Sequence, residues 1–293
     1  MTRQRVVVIG DVMLDVVVRP NELVALTSDT PSSVRIGCGG SGANIAVELA
    51  KADIDVTYVG AAGDDMAGRL CREDLERAGV TTMLQLVNDS TGVVVAIVAE
   101  SGQRSMMTDR GANRLLSVEH LLATLEGPYD HLHVSGYCLL DDATRDGAVA
   151  ALRSARDRGR STSVDVCSVG PLGRVTAGVF AHAVHGTTML FANEEEAMVL
   201  SGVDNVDDAL ERLSRDFREV MVTLGANGAR ARVNGTVVEA SSLSRDVLDT
   251  TGAGDAATGA YLAARLCGQA VAAALFAAME ASATVVRGLG SRG

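Results

Sequence analysis

Asp249-Thr-Thr-Gly-Ala-Gly-Asp255 places two carboxylates and two glycines directly before an Ala-rich helical pattern. Glycines at a helix start let the backbone come close to a ligand. The free amides of residues 252–255 then converge on one point, with the positive end of the helix dipole behind them. Such an arrangement binds an anion. Asp255 beside it is a carboxylate able to take a proton from a hydroxyl. An anion hole next to a general base is the minimum equipment for phosphoryl transfer to an alcohol. On this run alone, a plain capped helix is an equally good reading.

Four further runs carry usable chemistry. Gly37-Cys-Gly-Gly-Ser-Gly-Ala-Asn44 contains Gly-x-Gly-x-x-Gly and opens a helix. A dinucleotide site wants a firm strand before those glycines and an acidic residue at the end of the next strand. Here the preceding strand is barely three residues, and Asp53 and Asp55 precede the next strand. The glycines read better as backbone closing over a small polyhydroxylated ligand, with Asn44 supplying an amide; the plainer reading is a helix start. In Asn193-Glu-Glu-Glu196 an acidic first turn is ordinary dipole chemistry. The functional alternative is that Glu196 organises a magnesium ion through water near phosphates. Thr223-Leu-Gly-Ala-Asn-Gly228 is by itself a strand end and a glycine turn. Asp11 and Asp15 follow the first strand, at the strand end where open α/β sheets bind ligands. They suit hydroxyl recognition, although either also caps a turn.

The elements that must position these residues alternate. Strand-like runs fall at 6–9, 56–59, 131–135, 162–165, 188–191 and 219–224. Helical patterns fall at 44–52, 66–78, 142–158, 194–201 and 206–216, with two Ala-rich helices over 252–287 separated near Gly268. This alternation predicts βαβ units and a mainly parallel sheet covered on both faces. Four strand-like pieces, 12–19, 34–36, 93–99 and 104–108, have no helices between them. The last two flank Glu100-Ser-Gly-Gln103, a hairpin signal. They predict a small separate sheet, a lid of residues 12–36 and 92–108 inserted into a core of 1–11, 37–91 and 109–293.

Composition narrows the function classes. At 47% hydrophobic and 22% charged over 293 residues, the chain is that of a folded globular protein with a large core. A net charge of −11 argues against nucleic acid or an anionic membrane as partner. No apolar run is long enough to span a bilayer, and the stretch after the start is too short for a signal peptide. Five scattered cysteines without a CxxC pair give neither zinc spacing nor a disulfide framework, so a cytoplasmic setting is expected. The single lysine, Lys51, belongs to no Gly-Lys-Ser/Thr phosphate loop.

Taken in order, Gly-Asp-x-x-x-Asp, Gly-Gly-x-Gly-Ala-Asn, Asn-x-x-Glu, Thr-Leu-Gly-x-x-Gly and Asp-Thr-Thr-Gly-Ala-Gly-Asp resemble the ribokinase-like (phosphofructokinase-B) carbohydrate kinases over essentially the whole chain. Gly60-Ala-Ala-Gly-Asp-Asp-Met-Ala-Gly68 is similar to that family's N-terminal signature. The resemblance implies a three-layer α/β core with a mainly parallel sheet and a β-sheet lid that forms a homodimer contact. It implies ATP as donor, magnesium and a monovalent cation such as potassium. Asp255 then matches the catalytic base, with Gly252, Ala253 and Gly254 as the anion hole. Asn193 and Glu196 match the phosphate and magnesium motif. Thr223, Gly225 and Gly228 match nucleotide contacts, and Asp249 and Thr251 match a cation-site segment. Asp11, Asp15, Gly39, Gly40 and Asn44 match sugar contacts. Ser41 stands where ribokinases carry lysine, and Gly136-Tyr137 replaces an acidic residue. Both departures point away from ribose itself and leave another furanose, a sugar acid or a nucleoside, including a pseudouridine-like one. The rival readings are a nicotinamide-dependent dehydrogenase built on the 37–42 glycines and a non-catalytic sugar or nucleotide sensor.

Overall fold

Runs such as Val6-Val7-Val8-Ile9 become strands because a strand covered on both faces needs apolar residues throughout. The computed structural model describes residues 3–98, 104–245, 247–288 and 290–292. Its strands are β1 (Arg5–Ile9), β2 (Met13–Pro20), β3 (Ser32–Gly39), β4 (Asp55–Gly63), β5 (Thr81–Val87), β6 (Gly92–Val98), β7 (Arg104–Asp109), β8 (His131–Ser135), β9 (Ser161–Asp165), β10 (Met189–Asn193), β11 (Glu219–Thr223), β12 (Ala229–Val233) and β13 (Thr236–Ala240). The helices are α1 (Ser41–Lys51), α2 (Met66–Arg77), α3 (Val118–Thr124), α4 (Gly136–Leu140), α5 (Asp142–Asp157), α6 (Val169–Val175), α7 (Ala177–Ala183), α8 (Glu194–Ser201), α9 (Val206–Leu213), α10 (Ala253–Leu266) and α11 (Val271–Val285).

The large sheet has the order β13-β12-β11-β10-β9-β8-β1-β4-β5. From β11 to β5 all neighbours are parallel; β12 and β13 add an antiparallel edge. Alternate residues of β1 serve opposite faces. Val7 and Ile9 pack with α3 to α9, while Val6 and Val8 pack with α1, α2, α10 and α11. This gives the expected three layers. Gly10 and Gly42 lie so close that a Cβ on either would strike the other's backbone at 2.6 Å. That contact seats the start of α1 over the end of β1.

The small sheet, β3-β2-β6-β7, follows the four interrupting pieces. Met13, Asp15, Val94, Met106 and Thr108 line the cleft described below. The opposite face carries Val16, Val18, Val93 and Val95, which are half-buried, with Val34, Ile36 and Met107 exposed beside them in register. The expected turn at 100–103 and the end of its first strand at 99 lie outside the described residues.

Three local differences have physical causes. β3 runs to Gly39, three residues beyond the expected boundary at 36, because pairing with β2 continues to Met13. β4 runs to Gly63 instead of ending at Val59, because β5 pairs with it along its length. β5 escaped detection since it is an edge strand whose residues, Thr82 and Gln85 among them, mix polar and apolar types. Among the described residues, no helix is long and apolar enough to cross a membrane.

Candidate active site

β1, β8, β9, β10 and β11 deliver their ends to one edge of the sheet. There Asp11, Tyr137, Asp165, Asn193 and Thr223 help wall a cleft of about 720 Å³. The small sheet closes one side, and the start of α10 forms part of the floor. Gly252 adopts φ 75° and leads into α10, while a side chain there would collide with the Ser291 carbonyl. The Ala253 amide turns to Thr250 O at 3.3 Å. The amides of Gly254 and Asp255 take no backbone partner among the described residues. One of the four amides expected to converge is therefore turned away.

Asp255 sits in the first turn of α10, open to the cleft on one side and enclosed by protein elsewhere. Burial pushes its pKa up to about 7, the Asn44 hydrogen bond opposes that rise, and the charge of Asp165 adds to it. Asn44 Nδ2 donates to Asp255 Oδ2 at 2.8 Å. The amide is oriented from behind, since Arg292 Nε donates to Asn44 Oδ1 at 2.9 Å and Arg292 also pairs with Asp74. Arg292 thus aims the amide that holds the candidate base.

The end of the cleft around Asp11 and Asp15, expected to take the acceptor, is already wired. Arg110 grips Asp11 with two bonds of 2.7 Å and reaches Asp141 Oδ2 at 2.6 Å. Burial works against the Arg110 charge, but the bonds to Asp11 outweigh it and hold the guanidinium more firmly protonated. Asp15 Oδ2 accepts from the Ser291 hydroxyl at 2.8 Å, and burial raises the Asp15 pKa despite that bond. Gly40 lines the cleft; Gly39 lies behind it, against the Asp15 carboxylate. Met13, Val94, Met106, Tyr137 and Leu140 give this end an apolar wall.

The other end, expected to take the donor, is organised by α8. Asn193 and Glu196 form a reciprocal capping box, each side chain accepting the other's backbone N–H at 2.9 Å. Asp165 accepts from the Thr258 hydroxyl and the Cys167 amide, both at 2.9 Å. Neither Asp165 nor Glu196 forms an ion pair with a described residue. Burial pushes both up to about 7, and the Glu196 charge raises Asp165 further. A divalent cation would relieve that repulsion, so these residues fit one. No three His, Cys, Asp or Glu among the described residues are arranged to grip a metal directly, so the fit is to a hydrated ion. Thr223 lines the cleft, while Gly225 and Gly228 form the turn behind it.

Asp249 is a clamp. Its Oδ1 accepts from the Thr251 amide and hydroxyl at 2.9 and 2.6 Å, and its Oδ2 accepts from the Gly290 amide at 2.9 Å. Thr251 faces the cleft and Asp249 does not.

Sequence reasoning missed Arg110, Asp165, Cys167, Arg174 and Ser291, all in the cleft wall, and Arg292 behind it. Only Asp165 carried a usable signal, as an acid closing a predicted strand. Cys167 has φ 72° and contacts the Ser135 hydroxyl at 3.3 Å; burial and the Asp165 charge push its thiol well up, which argues against a thiolate nucleophile. The Gly-x-Gly-x-x-Gly run follows no strand of the parallel sheet. Its first residues close β3, antiparallel to β2, and so lack the βαβ setting of a dinucleotide site.

A family model described as pfkB family carbohydrate kinase matches residues 3–293. An ATP-dependent ribose-1-phosphate kinase from Halopiger xanaduensis is 31% identical over 265 residues, spanning 88% of this chain and 84% of the relative. A ribokinase from Schizosaccharomyces pombe is 28% identical over an alignment spanning 98% and 93% of the two chains. The solved adenosine kinase from Sinorhizobium meliloti superposes with a TM-score of 0.91 over 100% of this chain and 96% of that one, at 24% identity, which shows a shared ribokinase-like fold. With the family's motifs gathered around one cleft and the family model spanning the sequence, the chain belongs to the pfkB family of carbohydrate kinases.

Proposed function

We propose that the protein is an ATP-dependent kinase phosphorylating a hydroxyl of a small sugar or of the sugar part of a nucleoside. One observation carries the reading: Asp255, held by Asn44, stands at a helix start beside unpartnered amides, with a pKa near 7. The acceptor hydroxyl gives its proton to Asp255 as its oxygen attacks the γ-phosphorus in line, the bond to the β–γ bridging oxygen breaks and ADP leaves. The amides of Gly254 and Asp255 receive charge from the transferring group. Asn44 keeps the carboxylate aimed, and Asp15 with Asn44 orders the sugar hydroxyls. Asp11 acts through Arg110, since both its oxygens are taken.

Magnesium bound with ATP supplies positive charge to the phosphate oxygens, and Glu196 and Asp165 are the residues that would hold its water shell. A monovalent cation such as potassium would bind beside the Asp249–Thr251 clamp, a reading supported by the family resemblance. Higher rates in potassium than in a bulky organic cation at fixed ionic strength would bear this out, and equal rates would remove it.

The apolar wall of Met13, Val94, Met106, Tyr137 and Leu140 favours an acceptor with a nonpolar face, and so supports a nucleoside as the second reading. The small sheet, as a lid, would exclude water from the closed cleft. Its outer face, with Val34, Ile36 and Met107 exposed, supports a homodimer through the lid, which light scattering at micromolar concentration would test. Five unpaired cysteines support a reducing cytoplasm. The deciding experiment is a panel of sugars, sugar phosphates and nucleosides with ATP and magnesium, read by ADP release. Acceptor-dependent release that Asp255→Asn abolishes is expected; no acceptor-dependent release across the panel would count against the assignment.

A further inference from the structure

Six carboxylates face the cleft: Asp11, Asp15, Asp141, Asp165, Glu196 and Asp255. Among its described lining residues only Arg110 and Arg174 are basic. Arg110 is committed to Asp11 and Asp141. Arg174 is different. It lies on α6, exposed, and makes no hydrogen bond or ion pair with a described residue. α6 packs against α8, whose first turn carries Glu196. α6 also packs against α4, so Arg174 lines the cleft between α4 and α8, on the wall it shares with Asn193, Glu196 and Asp165.

A nucleoside triphosphate brings about four negative charges into this acidic cleft, where a low dielectric magnifies repulsion. No lysine is placed to offset it, because the chain's one lysine, Lys51, pairs with Glu48 on α1. A guanidinium presents a planar fork of donors that matches phosphate oxygens two at a time. Resting without a partner, it gives up no existing bond when it turns to a ligand.

We propose that Arg174 is a phosphate contact for the donor nucleotide, bonding its β- and γ-phosphates and holding the triphosphate in line with Asp255. This rests on the kinase reading above. It adds a binding residue that none of the sequence motifs contains.

The test measures binding by calorimetry, without any acceptor. The probes are a non-hydrolysable ATP analogue with magnesium, and AMP, which lacks the β- and γ-phosphates. The proteins are wild type, Arg174→Gln and Arg174→Lys. Arg174→Gln should weaken the analogue about tenfold to a hundredfold, the scale of one charged hydrogen bond. Arg174→Lys should recover part of that loss. AMP affinity and Tm should stay unchanged, since Arg174 bonds to no described residue of the folded protein. Equal analogue affinity in wild type and Arg174→Gln would overturn the inference alone. So would an equal loss for AMP. Failure of the wild-type protein to bind the analogue would overturn the kinase reading together with the inference.

Discussion

The two ends of the cleft handle buried charge in opposite ways. At the acceptor end the carboxylates are oriented before any ligand arrives. Arg110 neutralises Asp11, the Ser291 hydroxyl holds Asp15, and the Asn44 amide holds Asp255. At the donor end Asp165 and Glu196 have hydrogen bonds but no cationic partner among the described residues, and both are pushed towards neutral pH by burial. The acceptor end is thus preorganised for geometry, whereas the donor end stores repulsion that a magnesium nucleotide would relieve. Stability is given up where charge is needed for binding, a common arrangement at functional sites.

The largest effect expected is on chemistry. Asp255→Asn should lower turnover by about 100- to 10,000-fold, the worth of general-base assistance. Binding of the ATP analogue should stay within about threefold, because the change lies at the acceptor end. Turnover within about threefold of wild type would break the assignment.

Arg110→Met should cost about 3–5 kcal/mol in denaturant unfolding, because it strands the buried Asp11 charge. The double variant Asp11→Asn/Arg110→Met should recover most of that loss, and the single variant should leave ATP-analogue affinity alone. A single variant as stable as wild type would show that the acceptor end is not held by this pair.

The third effect is a pH profile. Asp255 works as a base only when deprotonated, so kcat/KM should rise as pH increases through about 7. The Asn44 bond opposes the raised pKa, so releasing the Asn44 carbonyl by Arg292→Ala should move the midpoint upward. Arg292→Lys should restore part of the shift. A profile that is flat from roughly pH 6 to 8 would separate Asp255 from the rate.

The smallest effect concerns the donor end. The folded pKa of Glu196, about 7, lies above its ordinary value of 4.5, so the folded state binds the proton more tightly. Its contribution favours the fold fully below the ordinary value and is lost as pH rises through about 7. Glu196→Gln should therefore raise the Tm of the ligand-free protein by about 2–4 °C at alkaline pH and leave it unchanged in acid. The Gln carbonyl can still accept the Asn193 amide. A lower Tm at alkaline pH would show that no repulsion is stored there.

Much of the fold was legible because its signals are local. The apolar runs of β1 and β8 to β11, the Asn193–Glu196 cap and the glycines before α10 each act within a few residues. β5 was not legible, since an edge strand with mixed residues has no clear period, and its existence depends on pairing with β4. Asp11 shows the limit for the site. The sequence marks it as an acid at a strand end, but nothing near it says that both its oxygens are taken by an arginine 99 residues away.

The sequence by itself determined the α/β alternation and the small inserted sheet, and it marked Asp255 as a candidate base, because periodicity, capping and close backbone approach are written in neighbouring residues. Only the tertiary structure decided what surrounds Asp255. Asn44 reaches it across 211 positions, and Arg292 reaches Asn44 across 248. Charge and hydrogen bonding act through space, so which carboxylates are paired, which are raised towards neutrality and which arginine is left free emerges only when distant segments share one cleft.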